Sequence, residues 1–97
     1  DITYNNGLTG QTASRDVTGT AVAPASLTIS DGATYDFGTL ATGATLDKTF
    51  TINNGGSFTA SALSGGGLAA PFTFKGGTYP GAGGSCSTTL NAAASCT

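Results

Sequence analysis

The sequence predicts an all-β domain, an antiparallel sandwich of short strands, and three observations predict it. Gly, Ala, Ser and Thr supply 58 of the 97 residues, with 16 glycines and 18 threonines, a composition that disfavours helix. No apolar stripe of 3.6-residue period is sustained over about 11 residues. Strand-sized segments with alternating large apolar residues instead recur at roughly regular spacing, each closed by Gly, Asn or Pro.

Taken in order, Ile2-Thr3-Tyr4 running into Asn5-Asn6-Gly7 reads as a strand entering a tight turn, because Asn-Gly tolerates the positive φ of a primed turn. The hairpin partner is expected within residues 11–22. There Ala13, Arg15, Val17, Gly19 and Ala21 share one face, and Thr12, Ser14, Asp16, Thr18, Thr20 and Val22 the other. Neither face is strongly apolar, which predicts a half-exposed or edge strand. Ala23-Pro24-Ala25 interrupts the pattern as a linker or crossover, since Pro donates no ladder hydrogen bond.

Leu27 and Ile29 define the next strand, which ends in a turn at Ser30-Asp31-Gly32. Residues 35–40 follow as another. The clearest strand spans 46–53, with Leu46, Phe50 and Ile52 on one face, closed by Asn54-Gly55-Gly56. Phe58, Ala60 and Ala62 continue the alternation, and Phe72 and Phe74 share a face further on. Tyr79-Pro80-Gly81 turns the chain toward a cysteine hairpin. The inward candidates are Leu27, Ile29, Phe37, Leu40, Leu46, Phe50, Ile52, Phe58, Leu63, Leu68, Phe72, Phe74 and Leu90. At about 1.5 to 3 kcal/mol for each fully buried large side chain, such a core suffices only if most of them are covered.

The composition excludes several function classes. Arg15, Lys48 and Lys75 are the only cations, too few for a phosphate-binding patch, so no nucleic-acid partner is expected. No apolar run approaches the roughly 20 residues of a membrane span. The first residues lack the charged start and apolar run of a signal peptide; either one has been removed or the chain is an internal piece of a longer protein. His, Glu, Met and Trp are absent and the net charge is −2. Nucleophilic triads therefore lack a base, no catalytic residue is assigned, and no cofactor is expected.

Cys86 and Cys96 lie ten apart and invite a disulfide. Closing a loop of about 11 residues removes on the order of 3 kcal/mol of unfolded-state entropy. Two free thiols in a reducing compartment are the alternative; a structural zinc site needs four ligands, and with no His and only two Cys this chain alone cannot build one. A disulfide implies an oxidising compartment, hence an extracellular, secreted or cell-surface location.

Phe37-Gly38-Thr39-Leu40, followed by Lys48-Thr49-Phe50-Thr51-Ile52-Asn53-Asn54-Gly55-Gly56, resembles the signature of ASPM-SPD-2-Hydin-type immunoglobulin-like repeats. Leu68-Ala69-Ala70-Pro71-Phe72, Gly76-Gly77-Thr78-Tyr79-Pro80-Gly81 and the Cys86 to Cys96 segment look like the bacterial variety, labelled choice-of-anchor D, in secreted surface proteins. The resemblance covers roughly residues 23–97. It implies an immunoglobulin-like antiparallel β-sandwich of about seven short strands and a structural or adhesive role, and it brings no catalytic residues.

The sequence departs from that pattern in one respect. The family's second cysteine opens a strongly apolar central strand, which does not follow Cys96 here, whereas residues 1–22 resemble the terminal strand pair that ends a repeat. The expected organisation is therefore the end of a preceding repeat over 1–22, the linker 23–25, and most of one repeat over 26–97. The central strand then comes from a neighbouring repeat or subunit, and the expected partners are copies of the chain or adjacent repeats, head to tail. Surface glycans are a further candidate partner, with Tyr35 and Tyr79 as candidate ligand contacts.

Three other constellations carry weaker signals. Lys48 shares parity with Leu46, Phe50 and Ile52, which suggests either an isopeptide bond to a buried carboxyl or amide neighbour or a lysine snorkelling from a strand end. Asp31, Asp36 and Asp47 match no calcium-loop spacing and read as turn aspartates. The glycine runs at 65–67 and 81–84 read as flexible connections and lack the Lys-Ser/Thr of a phosphate loop.

Overall fold

The computed structural model describes residues 1–97. Every element in it is a strand. β1 (Ile2–Asn5) pairs antiparallel with β2 (Gly10–Ala13), Ile2 opposite Ala13 and Tyr4 opposite Gln11. The connection is a four-residue loop capped by asparagine side chains. Asn5 Oδ1 accepts from the Gly7 amide at 2.8 Å, and Asn6 Oδ1 accepts from Leu8 and Thr9 at 3.0 and 2.9 Å. Gly7 takes φ 97°, the left-handed conformation the Asn-Gly pair foretold.

The second strand stops at Ala13, opposite Ile2 and well short of residue 22, and nothing else in the chain pairs with 14–22. Pairing resumes when the Ala23 carbonyl accepts from the Ser57 amide at 3.3 Å and the Ser26 carbonyl from Gly55 at 2.9 Å. From there β3 (Leu27–Ile29) pairs with β4 (Ile52–Asn54), Leu27 opposite Asn54 and Ile29 opposite Ile52. Pro24 thus sits at the start of a continuous extended run along residues 51–57.

The strand expected over 46–53 shortens to 52–54. Asp31 and Gly32 adopt φ 68° and 78°, so the chain swings away after Ile29 and offers residues 46–50 no ladder partner. Residues 35–40 likewise form no strand. β5 (Ala60–Ser61) ends because Ala62 is left-handed at φ 57°, and it pairs with β6 (Thr89–Leu90). A turn closed by the Ala94 amide on the Asn91 carbonyl at 3.2 Å then carries the chain to β7 (Ser95–Cys96), which pairs with β4. The cysteine segment is therefore a corner passing between two sheets, not a hairpin.

The seven strands form three small antiparallel sheets, β1-β2, β3-β4-β7 and β5-β6. Only 6 of 97 residues are buried, and Leu90 is the single large aliphatic among them. It packs with Ala60, Cys86 and Cys96, flanked by half-buried Ala25, Ile52, Leu63, Tyr79 and Ala94. Of the inward candidates, Leu27, Ile29, Leu40, Leu46, Phe58, Leu68 and Phe72 are exposed instead. Residues 1–24 are exposed throughout. The molecule measures 93 × 22 × 21 Å, and its radius of gyration of 25.6 Å is about twice the roughly 13 Å of a compact chain this long. No helix is long and apolar enough to cross a membrane.

Candidate functional site

With so little apolar burial, two polar or covalent devices hold the body together. The first is the disulfide joining Cys86 to Cys96, whose Cα atoms lie 4.9 Å apart. Backbone bonds reinforce it: the Thr97 carbonyl accepts from Ser85 at 2.7 Å and Cys86 at 3.0 Å, while the Thr97 amide donates to Ser85 Oγ at 3.0 Å. The segment before Cys86 is thereby laid along the side of β7 that faces away from β4.

The second device is Asn54, which is fully buried. Its Oδ1 accepts from the Ser26 and Gly56 amides, both at 3.1 Å. Its Nδ2 lies within hydrogen-bond distance of the carbonyls of Phe58 at 2.8 Å, Leu90 at 3.1 Å and Asn91 at 3.2 Å. One side chain thus ties β3, the 55–58 turn and the β6 corner together. Gly56 permits this closeness, since a Cβ there would stand 2.7 Å from Ala25 Cα and 2.8 Å from the Ser26 nitrogen. Sequence reasoning treated Asn54 only as a strand-ending turn residue. The signal was the Asn-Asn-Gly-Gly string, whose second Asn alternates onto the same face as Ile52.

The aromatic residues form two groups. Tyr35 meets Phe37 and Phe50 edge-on, with ring centroids 5.0 and 5.6 Å away, and Phe37 meets Phe72 at 5.7 Å. Lys48 Nζ stands 4.6 Å above the Tyr35 ring and forms an ion pair with Asp31 at 3.1 Å. Tyr79 belongs to the other group, edge-on to Phe74 at 5.8 Å, with its hydroxyl donating to the Ser87 carbonyl at 3.2 Å. The two candidate ligand-contact tyrosines therefore sit in different clusters. Tyr35 is partly exposed and Tyr79 half-buried against the core. Gly65 packs beneath the second group, where a Cβ would meet Tyr79 Cδ2 at 2.6 Å, so this glycine serves packing rather than flexibility.

Lys48 does have a carboxyl neighbour, but the chemistry is that of an ion pair. Isopeptide formation needs a neutral amine and a protonated acid. The Ser30 hydroxyl and then the Lys48 ammonium hold the Asp31 carboxyl below its ordinary pKa of 3.8, which favours the ionised acid. The other aspartates have separate partners. Asp36 Oδ1 accepts from the Gly38 amide at 2.7 Å, and Asp47 pairs with Lys75 at 2.6 Å, a bond that raises the Lys75 pKa above 10.5. No three His, Cys, Asp or Glu side chains gather closely enough to hold a metal ion.

Two open depressions, beside a minor third, mark the surface. One, of 260 Å³, lies at the base of the β1-β2 hairpin among Asp1, Ile2, Ala13, Ser14 and Arg15. The other, of 210 Å³, is bordered by Gly67, Leu68, Phe72 and Phe74. Neither gathers titratable groups in the arrangement that acid-base or nucleophilic catalysis requires. No family model, curated protein or solved structure matches this chain.

Proposed function

We propose that the chain is a non-enzymatic structural repeat or subunit of a bacterial extracellular surface protein or filament, built as an immunoglobulin-like sandwich that neighbours complete. The observation that carries this reading is the shape: a 93 Å molecule in which residues 1–22 project, exposed, from a small body. A sheet-bearing body with a long unpartnered arm suits connection in series, because each unit offers its neighbour both a body and an arm. The disulfide supports an oxidising, extracellular setting. On this reading residues 1–22 close a preceding unit, 23–25 link, and 26–97 form most of one unit. The role is mechanical: small units in series hold a load away from the cell.

Imaging native material, together with its intact mass under denaturing conditions, tests the proposal. A mass far above 9.3 kDa identifies a slice of a tandem-repeat protein, and 9.3 kDa within ordered fibres identifies a subunit that polymerises. A soluble 9.3 kDa monomer overturns both forms of the reading.

One observation favours a second reading, an adhesive or carbohydrate-binding module. Tyr35, Phe37, Phe50 and Phe72 form a connected aromatic group with Lys48 beside it, and Tyr35 and Phe72 are partly exposed, a surface suited to stacking on a sugar ring. Saturable glycan binding that Tyr35→Ala abolishes would support it. Tyr79→Ala reports on the other cluster in the same assay.

A further inference from the structure

Residues 14–22 make no backbone hydrogen bond anywhere in the chain. Nine consecutive residues, among them the stretch Val17-Thr18-Gly19-Thr20-Ala21-Val22 with its β-branched Val and Thr, are thus left without a backbone partner, and Val17 is 87% exposed. Elsewhere on the molecule a strand edge stands open. Ser30 donates to Thr51 and Gly55 to Ser26, so the antiparallel alternation directs the Thr28 peptide groups at β4 and those of Leu27 and Ile29 outward. β3 lies at the edge of its sheet, and its Leu27 and Ile29 side chains are 44% and 62% exposed. An apolar edge without lysine or bulge to blunt it is a template for another strand.

The chain's own arm is directed away from that edge. Residues 23–26 are pinned along 55–57 by the Ser57 to Ala23 and Gly55 to Ser26 bonds and by the close fit over Gly56. The arm therefore leaves in line with β3, past the end of the body. We propose that residues 16–22 of a second copy of this chain add antiparallel to the free edge of β3, at Leu27–Ile29, and so join units head to tail. This rests on the filament reading above and names its contact.

Charge supports the antiparallel direction. Arg15 forms no ion pair within the chain, and antiparallel addition brings it to the end of β3 where the Asp31 carboxylate, paired with Lys48 through Oδ1, can take a second cation, whereas parallel addition carries it to the uncharged Pro24 end. The contact is heterologous: arm and edge are different surfaces, so addition propagates into a fibre instead of closing a dimer.

Residue-resolved amide exchange of the full chain over a concentration series, with sedimentation alongside, tests this. Between about 1 µM and about 1 mM the Leu27 and Ile29 amides are expected to slow at least tenfold, along with those of the arm, as larger species appear. Thr20→Pro removes a donor from an arm that has no bonds to lose in the monomer, and it should abolish both effects. Arg15→Glu should shift assembly to higher concentration. Protection of Leu27 and Ile29 that is independent of concentration means the chain's own arm has folded back, and overturns the proposal. Assembly that leaves these amides unprotected, or survives Thr20→Pro, overturns this contact while the filament reading stands. A monomer at every concentration with fast exchange at both amides overturns this contact and, with it, the polymerising-subunit form of the filament reading; the tandem-repeat form stands or falls on the native mass.

Discussion

The side-chain amide of Asn54 lies 3.1 Å from the carbonyl of Leu90, joining the three-stranded sheet to the two-stranded one at the centre of the body. Polar and apolar contributions meet at that bond, since Leu90 is also the one large aliphatic side chain in the core. An amide that satisfies several backbone groups at once is hard to replace, because each group it serves is left without water when it goes.

Asn54→Ala should therefore destabilise the body by about 3 kcal/mol or more, since the Ser26 and Gly56 amides and the Leu90 carbonyl lose their partner. Asn54→Asp keeps the acceptor but not the donor and should also destabilise. Urea unfolding measures both; a loss below about 1 kcal/mol for Asn54→Ala would show that the hub is replaceable.

Gly56 and Gly55 offer a matched pair. Gly56→Ala forces a Cβ onto the backbone at Ala25 and Ser26 and should cost about 1 to 3 kcal/mol. At Gly55 the nearest atoms would be 3.9 Å away, so Gly55→Ala should be close to neutral. Equal thermal midpoints for the two variants would contradict the docking of residues 23–26 described above.

The disulfide should appear in non-reducing peptide mapping as a linked peptide containing Cys86 and Cys96. Replacing both cysteines with serine should cost about 3 kcal/mol in the chain-entropy account. In a body with six buried residues, two of them these cysteines, that is a large share of stability. Recovery of both thiols free from native material would also remove the support for an oxidising compartment.

Trypsin should cut first after Arg15, in the arm without backbone bonds, and before Lys48 and Lys75, whose ammonium groups are paired in the body. In dilute solution the product beginning at Asp16 should unfold at the same temperature as the whole chain, because residues 1–15 are exposed and bond only among themselves. A lowered midpoint would reveal packing of the hairpin on the body.

Stability should vary little from about pH 5 to about pH 9.5, since the chain has no histidine and its cysteines are paired. Asp31 has a lowered pKa when folded, so its contribution is present above its unfolded value near 3.8 and is lost as the pH falls through the folded value. Lys75 has a raised pKa, so its contribution is present below 10.5 and is lost as the pH rises beyond the folded value. Both groups are exposed, so both losses should be small, and a steep change near neutrality in a thermal-midpoint series would contradict the assignment.

The all-β class, the Asn-Gly loop, the strand at Leu27–Ile29 and the cysteine pair are legible in the sequence because each rests on local physics: backbone preferences, period-two alternation, and short loop closure. Which segments find partners is not legible there. Residues 46–50 alternate as a strand should, yet remain unpaired because the left-handed Asp31 and Gly32 turn β3 aside. Residues 14–22 are as β-prone as β2 and have nothing opposite them. Leu40, Leu46 and Leu68 alternate as core residues would and end up exposed. These outcomes, and the role of Asn54 as a hub, follow from long-range pairing, because period-two alternation fixes which way a side chain faces while strand pairing depends on segments far apart in the chain.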